Sequence, residues 1–317
     1  MHRLLRFYNQ NRMKIWALIL GVIFILLVIQ VFNSIARTNR EKQNREILEK
    51  ETTLDNVVSY DKQSESIISE EDVPEQYRED FGNVIEQFFT YCIQHEPQKA
   101  YNLLSQDTIN TLYPTEELFK NLYYTEKFKG NKEFSYQNWI KSGKLYIYQV
   151  KIFDNMLATG KANNTYYEDY VTIVPEEGEY KLNINQLIGV KNIYQKYSSD
   201  ELDITVKDSQ VFMDYEIYSF EIKNKTDKTI LLDTREDTDS TYLLDDVNNQ
   251  YSALLYENNE EELIIQPGEN KTISIRFSDV YREGIVITQI HFSDIVLDYH
   301  TYIAGNEVQR TTFEIEL

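Results

Sequence analysis

Cysteine, proline and glycine are scarce in this chain of 317 residues, and each scarcity excludes a class of protein. The single cysteine, Cys92, excludes an intramolecular disulfide, so any folded part must be stabilised by a packed core. Ten glycines and five prolines are too few for a low-complexity chain. The 25 tyrosines and 15 phenylalanines supply large apolar side chains for such cores.

Basic residues are also in short supply. The chain has 32 Lys and Arg against 52 Asp and Glu, and positions 1–50 hold nine of the basic and three of the acidic residues. Residues 51–317 therefore carry a net charge of −26 (23 − 49). A charge of this sign and size repels nucleic acid and anionic lipid, so we expect no nucleic-acid partner for this part of the chain.

A long apolar run stands near the start, where no charged residue lies between Ile15 and Phe32. These 18 residues would span about 27 Å as a helix, which is close to the hydrocarbon thickness of a bilayer. We predict a membrane-spanning helix over residues 15–33, with the lipid bilayer as its partner. Two alternatives remain: a signal peptide cleaved after Ala36, because Ser34 and Ala36 have the small side chains that a signal peptidase prefers, and a soluble core helix.

The charges beside the apolar run indicate its orientation only weakly, because Lys and Arg are nearly equal in number on its two sides. The long acidic remainder is typical of a translocated part. We therefore predict a cytoplasmic tail over residues 1–14, a single pass through the cell membrane and extracellular domains after it. A cytoplasmic domain tethered from its N-terminus is the alternative.

Residues 34–77 are rich in helix formers and then in Ser, Asp and Glu, which predicts a juxtamembrane helix and a linker. Apolar residues at three- and four-residue steps predict a helix from about Pro74 to Gln94, and two shorter helices follow. From Glu133 the apolar period changes to two, which predicts strands. Four strands are expected, near Phe134–Lys141, Lys144–Asp154, Tyr166–Val174 and Tyr180–Leu187.

Three short helices followed by a curved antiparallel sheet predict an α+β cone over residues 78–197. From Leu202 onward, alternating apolar residues and turn dipeptides predict an all-β sandwich over residues 198–317. The predicted fold class is therefore α+β, with a single N-terminal transmembrane helix, a cone and a sandwich.

The helical half of the predicted cone resembles the NTF2-like superfamily, as found on Gram-positive membrane-anchored proteins. The residues that carry this resemblance are Phe88, Phe89, Lys99, Ala100, Tyr101, Leu103, Leu104, Tyr113, Pro114 and Phe119. The later strands, with turns at Asn224 to Asp227 and at Pro267-Gly268, resemble an immunoglobulin-like domain of unknown function over about residues 200–317. The abundance of Asn, Lys, Ile, Glu and Tyr is similar to that of proteins from AT-rich bacterial genomes, which agrees with a Gram-positive envelope.

Few residues are candidates for metal binding. Asp233, Asp237 and Asp239 fail the spacing of a calcium loop, so we expect a solvated acidic hairpin loop, with calcium binding as the alternative. Cys92 and His95 lie three residues apart on the predicted helix but lack two further ligands, which favours a core cysteine and a helix-end histidine. We therefore predict no metal site and no cofactor.

The sequence contains neither a G-x-S-x-G nucleophile elbow nor a G-x-x-x-x-G-K phosphate loop, and no Asp–His pair stands out, so we predict no catalytic residue. The mouth of the cone is the remaining candidate pocket. Its aromatic candidates are Tyr91, Tyr123, Tyr148 and Tyr170, although an aromatic-lined core is more often packing than a binding site.

The order of tail, span, spacer and NTF2-like domain is similar to the layout of VirB8-like and TcpC-like components of conjugation and secretion machines. This likeness implies a non-enzymatic, single-pass membrane-anchored protein that binds other envelope proteins, for example as a scaffold of such an assembly. An extracellular module that binds a small ligand or a peptide is the alternative, and an NTF2-like enzyme comes third.

Overall fold

The computed structural model describes residues 73–142, 145–155, 166–278, 281 and 285–317. The predicted cytoplasmic tail, the predicted transmembrane helix over residues 15–33 and nearly all of the predicted juxtamembrane segment lie outside these residues. Membrane attachment and its orientation therefore stay predictions.

The predicted fold class, α+β with a transmembrane helix, is wrong for the described residues. They are mostly β-sheet, with 47% in strands and 24% in helices. None of their helices is long and apolar enough to cross a membrane. The first helix has 19 residues, but every later one has six or fewer, so the helices add little to a structure built from 14 strands.

Helical structure is concentrated before the first strand. A π-helix over Lys120–Tyr124 joins two short α-helices there, and a 3₁₀ turn over Leu255–Glu257 comes later. The α-helices are α1 (Glu75–Ile93), α2 (Pro97–Tyr101), α3 (Gln106–Thr111), α4 (Glu116–Phe119), α5 (Thr125–Lys127), α6 (Glu260–Leu263) and α7 (Tyr299–Ile303).

The strands form three antiparallel sheets. They are β1 (Lys132–Ser142), β2 (Leu145–Asp154), β3 (Tyr166–Glu176), β4 (Glu179–Asn183), β5 (Leu187–Ser198), β6 (Leu202–Phe212), β7 (Glu216–Asn224), β8 (Ile230–Leu231), β9 (Thr241–Asp245), β10 (Gln250–Ser252), β11 (Ile264–Ile265), β12 (Asn270–Phe277), β13 (Ile287–Val296) and β14 (Arg310–Glu316).

Helix α1 buries one face, as its apolar spacing predicts. The buried side chains recur at three- and four-residue steps and are Phe81, Val84, Ile85, Phe88, Phe89 and Cys92. They pack on the first sheet, whose strand order is β1-β2-β3-β4. His95, with φ of 62°, ends the helical segment because a left-handed residue cannot continue it.

The first sheet has one face against the helices and a second face that we call the outer face. Because side chains alternate along a strand, Tyr146, Tyr148 and Val150 of β2 point to the helices, whereas Ile147 and Gln149 point to the outer face. The edge of β4 is closed by chain from the helical part. There Ser105 donates its backbone N–H to the carbonyl of Leu182 at 2.9 Å.

The remaining strands form two sheets that face each other. One has the order β12-β7-β6-β5, and in the other β13 lies between β14 on one side and β9 and β8 on the other. A single hydrophobic core fills the space between these sheets. At its centre the rings of Phe220 on β7 and Phe292 on β13 meet edge to face, with centroids 5.4 Å apart.

Strand β5 connects the first sheet to the facing pair. Its first residues pack on the outer face, where Ile188, Val211 and Met213 form a small core with Ile147. The strand also pairs with β6 along its whole length, from Leu187 to Ser198. The predicted boundary at residues 197 and 198 falls at the last residues of this strand, and the division into two domains stays a prediction.

Candidate functional site

The four candidate tyrosines lie on different sides of the first sheet. Tyr123 and Tyr148 are buried in the core under the helices, and Tyr91 is half-buried on α1 with the Lys99 ammonium 5.4 Å from its ring centroid. Tyr170 belongs to the outer face, where its ring meets that of Trp139. The structure thus brings Tyr123 and Tyr148 into one core and places Tyr170 elsewhere.

A buried carboxylate organises the surroundings of Tyr123. Asp169 on β3 is fully buried and accepts a hydrogen bond of 2.6 Å from the Tyr123 hydroxyl. The Lys127 ammonium lies 3.7 Å from the same carboxylate and 4.5 Å from the centroid of the Tyr123 ring. Burial and the nearby Asp169 charge raise the pKa of Tyr123 well above its ordinary value. The hydroxyl therefore stays protonated and acts as a hydrogen-bond donor at neutral pH.

The same carboxylate holds the connection between β4 and β5. Asn185 and Gln186 have φ values of 57° and 68°, a left-handed conformation that turns successive N–H groups to one side. Asp169 accepts hydrogen bonds from these N–H groups at 3.2 and 3.1 Å. With Tyr123 and Lys127 added, the carboxylate is surrounded by donors, so this cluster fixes the chain between β4 and β5.

Tyr148 differs from Tyr123 in its hydrogen bonding. Its hydroxyl is buried without a hydrogen-bond partner among the described residues, and so is the Oδ1 atom of Asn138, which pairs directly across from it on β1. Burial raises the pKa of Tyr148 above its ordinary value.

We expect Tyr148→Phe to leave the free energy of unfolding unchanged or to raise it by up to about 1 kcal/mol, because the variant removes a buried donor that has no acceptor. Urea unfolding checks this. Tyr123→Phe is the matched control, and it should destabilise by about 1 kcal/mol because it deletes a made hydrogen bond. Destabilisation by Tyr148→Phe of the same size would show that a water molecule satisfies the hydroxyl.

A line of polar side chains crosses the outer face from β1 to β3. Gln137 donates to Gln149 at 2.6 Å, Gln149 donates to the Tyr170 hydroxyl at 3.3 Å, and this hydroxyl donates to Glu168 at 2.8 Å. Each donor and acceptor fixes the rotamer of the next side chain. The outer face therefore presents an ordered row of amide, phenol and carboxylate groups.

Two Lys–Tyr pairs lie at one end of the first sheet, one on each face because Tyr166 and Tyr167 are neighbours on β3, and we call them the Lys–Tyr rim. The Lys151 ammonium lies 5.3 Å from the ring centroid of Tyr166, and the Lys132 ammonium lies 5.7 Å from that of Tyr167. The two rings are 47% and 42% exposed, which is unusual for aromatic residues on regular strands. The rim offers apolar area together with positive charge.

The acidic loop after β8 has its own internal partners. Asp233 is buried and accepts from the hydroxyls of Ser240 and Thr241 at 2.6 and 2.7 Å, and burial raises its pKa. Asp237 accepts from the Asp239 backbone, and Asp239 accepts from Ser252. The three carboxylates thus have separate partners, and the described residues contain no group of three acidic, His or Cys side chains that could hold a metal.

Cys92 and His95 also have different surroundings. Cys92 is fully buried among apolar side chains, and this burial raises the pKa of its thiol. His95 is exposed, and its Nδ1 lies 2.6 Å from the Tyr124 hydroxyl. A buried thiol and an exposed imidazole with a tyrosine partner do not form a metal-binding pair.

A cleft of about 500 Å³ opens at the far end of the two facing sheets, between the turn after β7 and the segment that follows β13. The charged side chains that line it are Glu201, Asp227, Lys228, Asp298 and Glu307. Lys228 and Asp298 form an ion pair of 2.8 Å across it. Four carboxylates against one ammonium give the cleft a negative charge.

No protein-family model, curated protein or solved structure matches the chain. The resemblances to the NTF2-like superfamily and to immunoglobulin-like domains therefore stay predictions. The outer face, the rim and Asp169 were not among the candidate sites predicted from the sequence. Asp169 had a detectable signal, because it alternates with the inward-facing apolar residues Val171 and Ile173 of β3. The rim had no such signal, because it depends on which residues pair across strands.

Proposed function

We propose that this chain is a non-enzymatic, extracytoplasmic protein of the cell envelope whose folded part binds another protein through the outer face and the Lys–Tyr rim. The exposed Tyr166 ring under the Lys151 ammonium carries the proposal. Tyrosine and tryptophan dominate the energetic centres of protein interfaces because they bury a large area and lose little conformational entropy.

The surroundings of Tyr166 support the same function. Glu168 and Tyr170 follow it on the same face of β3, and the hydrogen-bonded row fixes them before any partner arrives. An ordered surface loses less entropy on binding than a mobile one, so more of the contact energy remains as affinity. A sheet with 11-residue and 10-residue neighbouring strands is also a rigid support.

Site-specific photocrosslinking in intact cells tests this function. With p-benzoylphenylalanine in place of Tyr166, we expect one discrete crosslinked species that contains a second envelope protein. Tyr256 is the matched control, because it is more exposed, at 76%, and lies on the 3₁₀ turn before α6, which belongs to neither the outer face nor the rim. The same probe at Tyr256 should give no discrete species.

A second variant tests whether the crosslink from position 166 reports a specific interface. Lys151→Glu reverses the charge above Tyr166, and we expect it to reduce the crosslink from position 166 several-fold while leaving the amount of protein unchanged. A crosslinking pattern that is identical at 166 and 256, or one that ignores Lys151→Glu, would contradict the proposed interface.

The alternative function is a module that binds a small ligand or a peptide, and the acidic cleft lined by Asp227 and Asp298 favours it. Its negative charge suits a cationic ligand. The two functions differ in which surface matters, because the cleft and the rim share no residue.

A further inference from the structure

Within the acidic part of the chain, residues 51–317, positive charge is concentrated in one stretch. Residues 120–151 contain seven lysines and two glutamates, a net charge of +5 (7 − 2), whereas the whole chain carries −20. This stretch comprises the π-helix, α5, β1 and nearly all of β2. The general expectation that the folded part repels anions therefore fails locally.

Some of these lysines are occupied within the fold and others face solvent. Lys127 forms an ion pair of 3.7 Å with Asp169, and Lys132 forms an ion pair of 2.7 Å with Asp154. Lys120 and Lys129 are exposed, and Lys129 stands three residues before β1 begins. Lys151 adds its ammonium to the outer face beside β1. Available positive charge thus lies next to the start of β1.

Strand β1 also has an open edge. Its residues Lys132 to Asn138 pair in continuous register with β2, and within the described part of the chain no other strand pairs with them. Two other sheet edges are closed by loops, since Leu103 to Ser105 cover β4, and Leu254 donates its N–H to the carbonyl of Arg276 on β12 at 2.7 Å.

The edge of β5 is occupied at its start, where Asn183 donates to the Ile188 carbonyl and Val190 donates its N–H to Asp107, and the rest of the strand has a shape unsuited to pairing. Its register with β6 shifts between Asn192 and Gln195, where Tyr194 has φ of 56°. Such bulges bend a strand and interrupt the row of N–H and C=O groups that a new strand needs. Among these edges, the first half of β1 offers the regular one.

We propose that the outer edge of β1 from Lys132 to Asn138 binds an extended acidic segment of a partner polypeptide, which adds a fifth strand to the first sheet. Main-chain hydrogen bonds to β1 supply affinity, as in other cases of strand addition. Carboxylates of the segment meet Lys129 and Lys151, which supply specificity. This inference rests on the proposed function and names the chemistry of the partner.

Charge complementarity favours a single strand over an anionic membrane as the occupant. Charges are screened beyond about 8 Å at physiological salt, so a narrow strand senses the local lysines alone. A flat anionic surface would also approach the acidic regions around them, and it would leave the backbone groups of β1 unpaired. Both effects disfavour membrane binding at this edge, so a peptide strand is the better ligand.

Fluorescence anisotropy on the purified full chain tests the proposal with a labelled ten-residue peptide of alternating Glu and Val. We expect saturable binding that weakens as salt rises. N-methylation of alternate residues along one edge of the peptide blocks strand pairing without changing its charge, so it should abolish binding.

Charge reversal at a single position locates the site. Lys129→Glu should weaken peptide binding about tenfold. Lys223→Glu is the matched control, because Lys223 is also an exposed lysine but lies on β7, and it should change the affinity less than about twofold.

Several results would overturn the proposal. Equal binding of the N-methylated peptide would mean that charge alone attracts the ligand. Binding to phosphatidylglycerol–phosphatidylcholine vesicles that depends on Lys129, with no peptide binding, would assign the patch to the membrane. Absence of all binding would show that the edge is closed in solution. In each of these cases the crosslink from Tyr166 would still report on the proposed function separately.

Discussion

Replacement of Asp169 by alanine is expected to lower the free energy of unfolding by about 3–5 kcal/mol, the largest effect of any polar substitution discussed for this chain. The variant leaves the Tyr123 hydroxyl, the N–H groups of Asn185 and Gln186 and the Lys127 ammonium without their common acceptor. The Lys127 side chain is only 12% exposed, so water replaces the lost partner poorly.

Urea unfolding followed by circular dichroism measures this loss. The double variant Asp169→Ala with Tyr123→Phe should be less destabilised than the sum of the two single variants, because the second change removes one of the donors that the first leaves unpaired. A loss below about 1 kcal/mol for Asp169→Ala would mean that the carboxylate is dispensable and that the donors find other acceptors.

Phe292→Ala should lower the free energy of unfolding by about 3–5 kcal/mol, because it opens a cavity at the centre of the core between the two facing sheets. Phe292 is fully buried, and its ring contacts Phe220 on the opposite sheet. The loss therefore combines the transfer of a large side chain to water with a missing contact between the sheets.

Tyr256→Ala is the control for this prediction, because the Tyr256 side chain is 76% exposed and its removal should change stability by less than about 0.5 kcal/mol. Differential scanning calorimetry adds a second readout, since a cavity in a shared core should shift the transition without splitting it. Equal stability of the two variants would contradict the assignment of Phe292 to the core.

Much of the local structure could be predicted from the sequence because local periodicity determines it. The helix predicted from about Pro74 to Gln94 is present as α1 (Glu75–Ile93), and the strand predicted from Lys144 to Asp154 is present as β2 (Leu145–Asp154). The π-helix over Lys120–Tyr124 was missed, because its extra residue per turn leaves no separate pattern in so short a segment.

The fold class and the surfaces could not be predicted, because they depend on pairing between distant residues. Tyr148 and Tyr170 were grouped as pocket candidates, yet Tyr170 pairs across from Gln149, so the two rings point to opposite faces of the sheet. A shift of one residue in this register would have placed them together. The Lys–Tyr rim has the same origin, since Lys132 and Tyr167 are 35 positions apart in the sequence.

The position of strand β5 limits where the gene for this protein can recombine without breaking a sheet. The whole strand belongs to one sheet through its pairing with β6, and its beginning is also held to the first sheet, where the Asn183 side chain donates to the carbonyl of Ile188 at 2.9 Å. A recombination event that cut the gene near residues 197 and 198 would place β5 in one protein and its partner strand β6 in another. Each fragment would then carry one unpaired strand, so we expect the sheets on either side of β5 to have been inherited together.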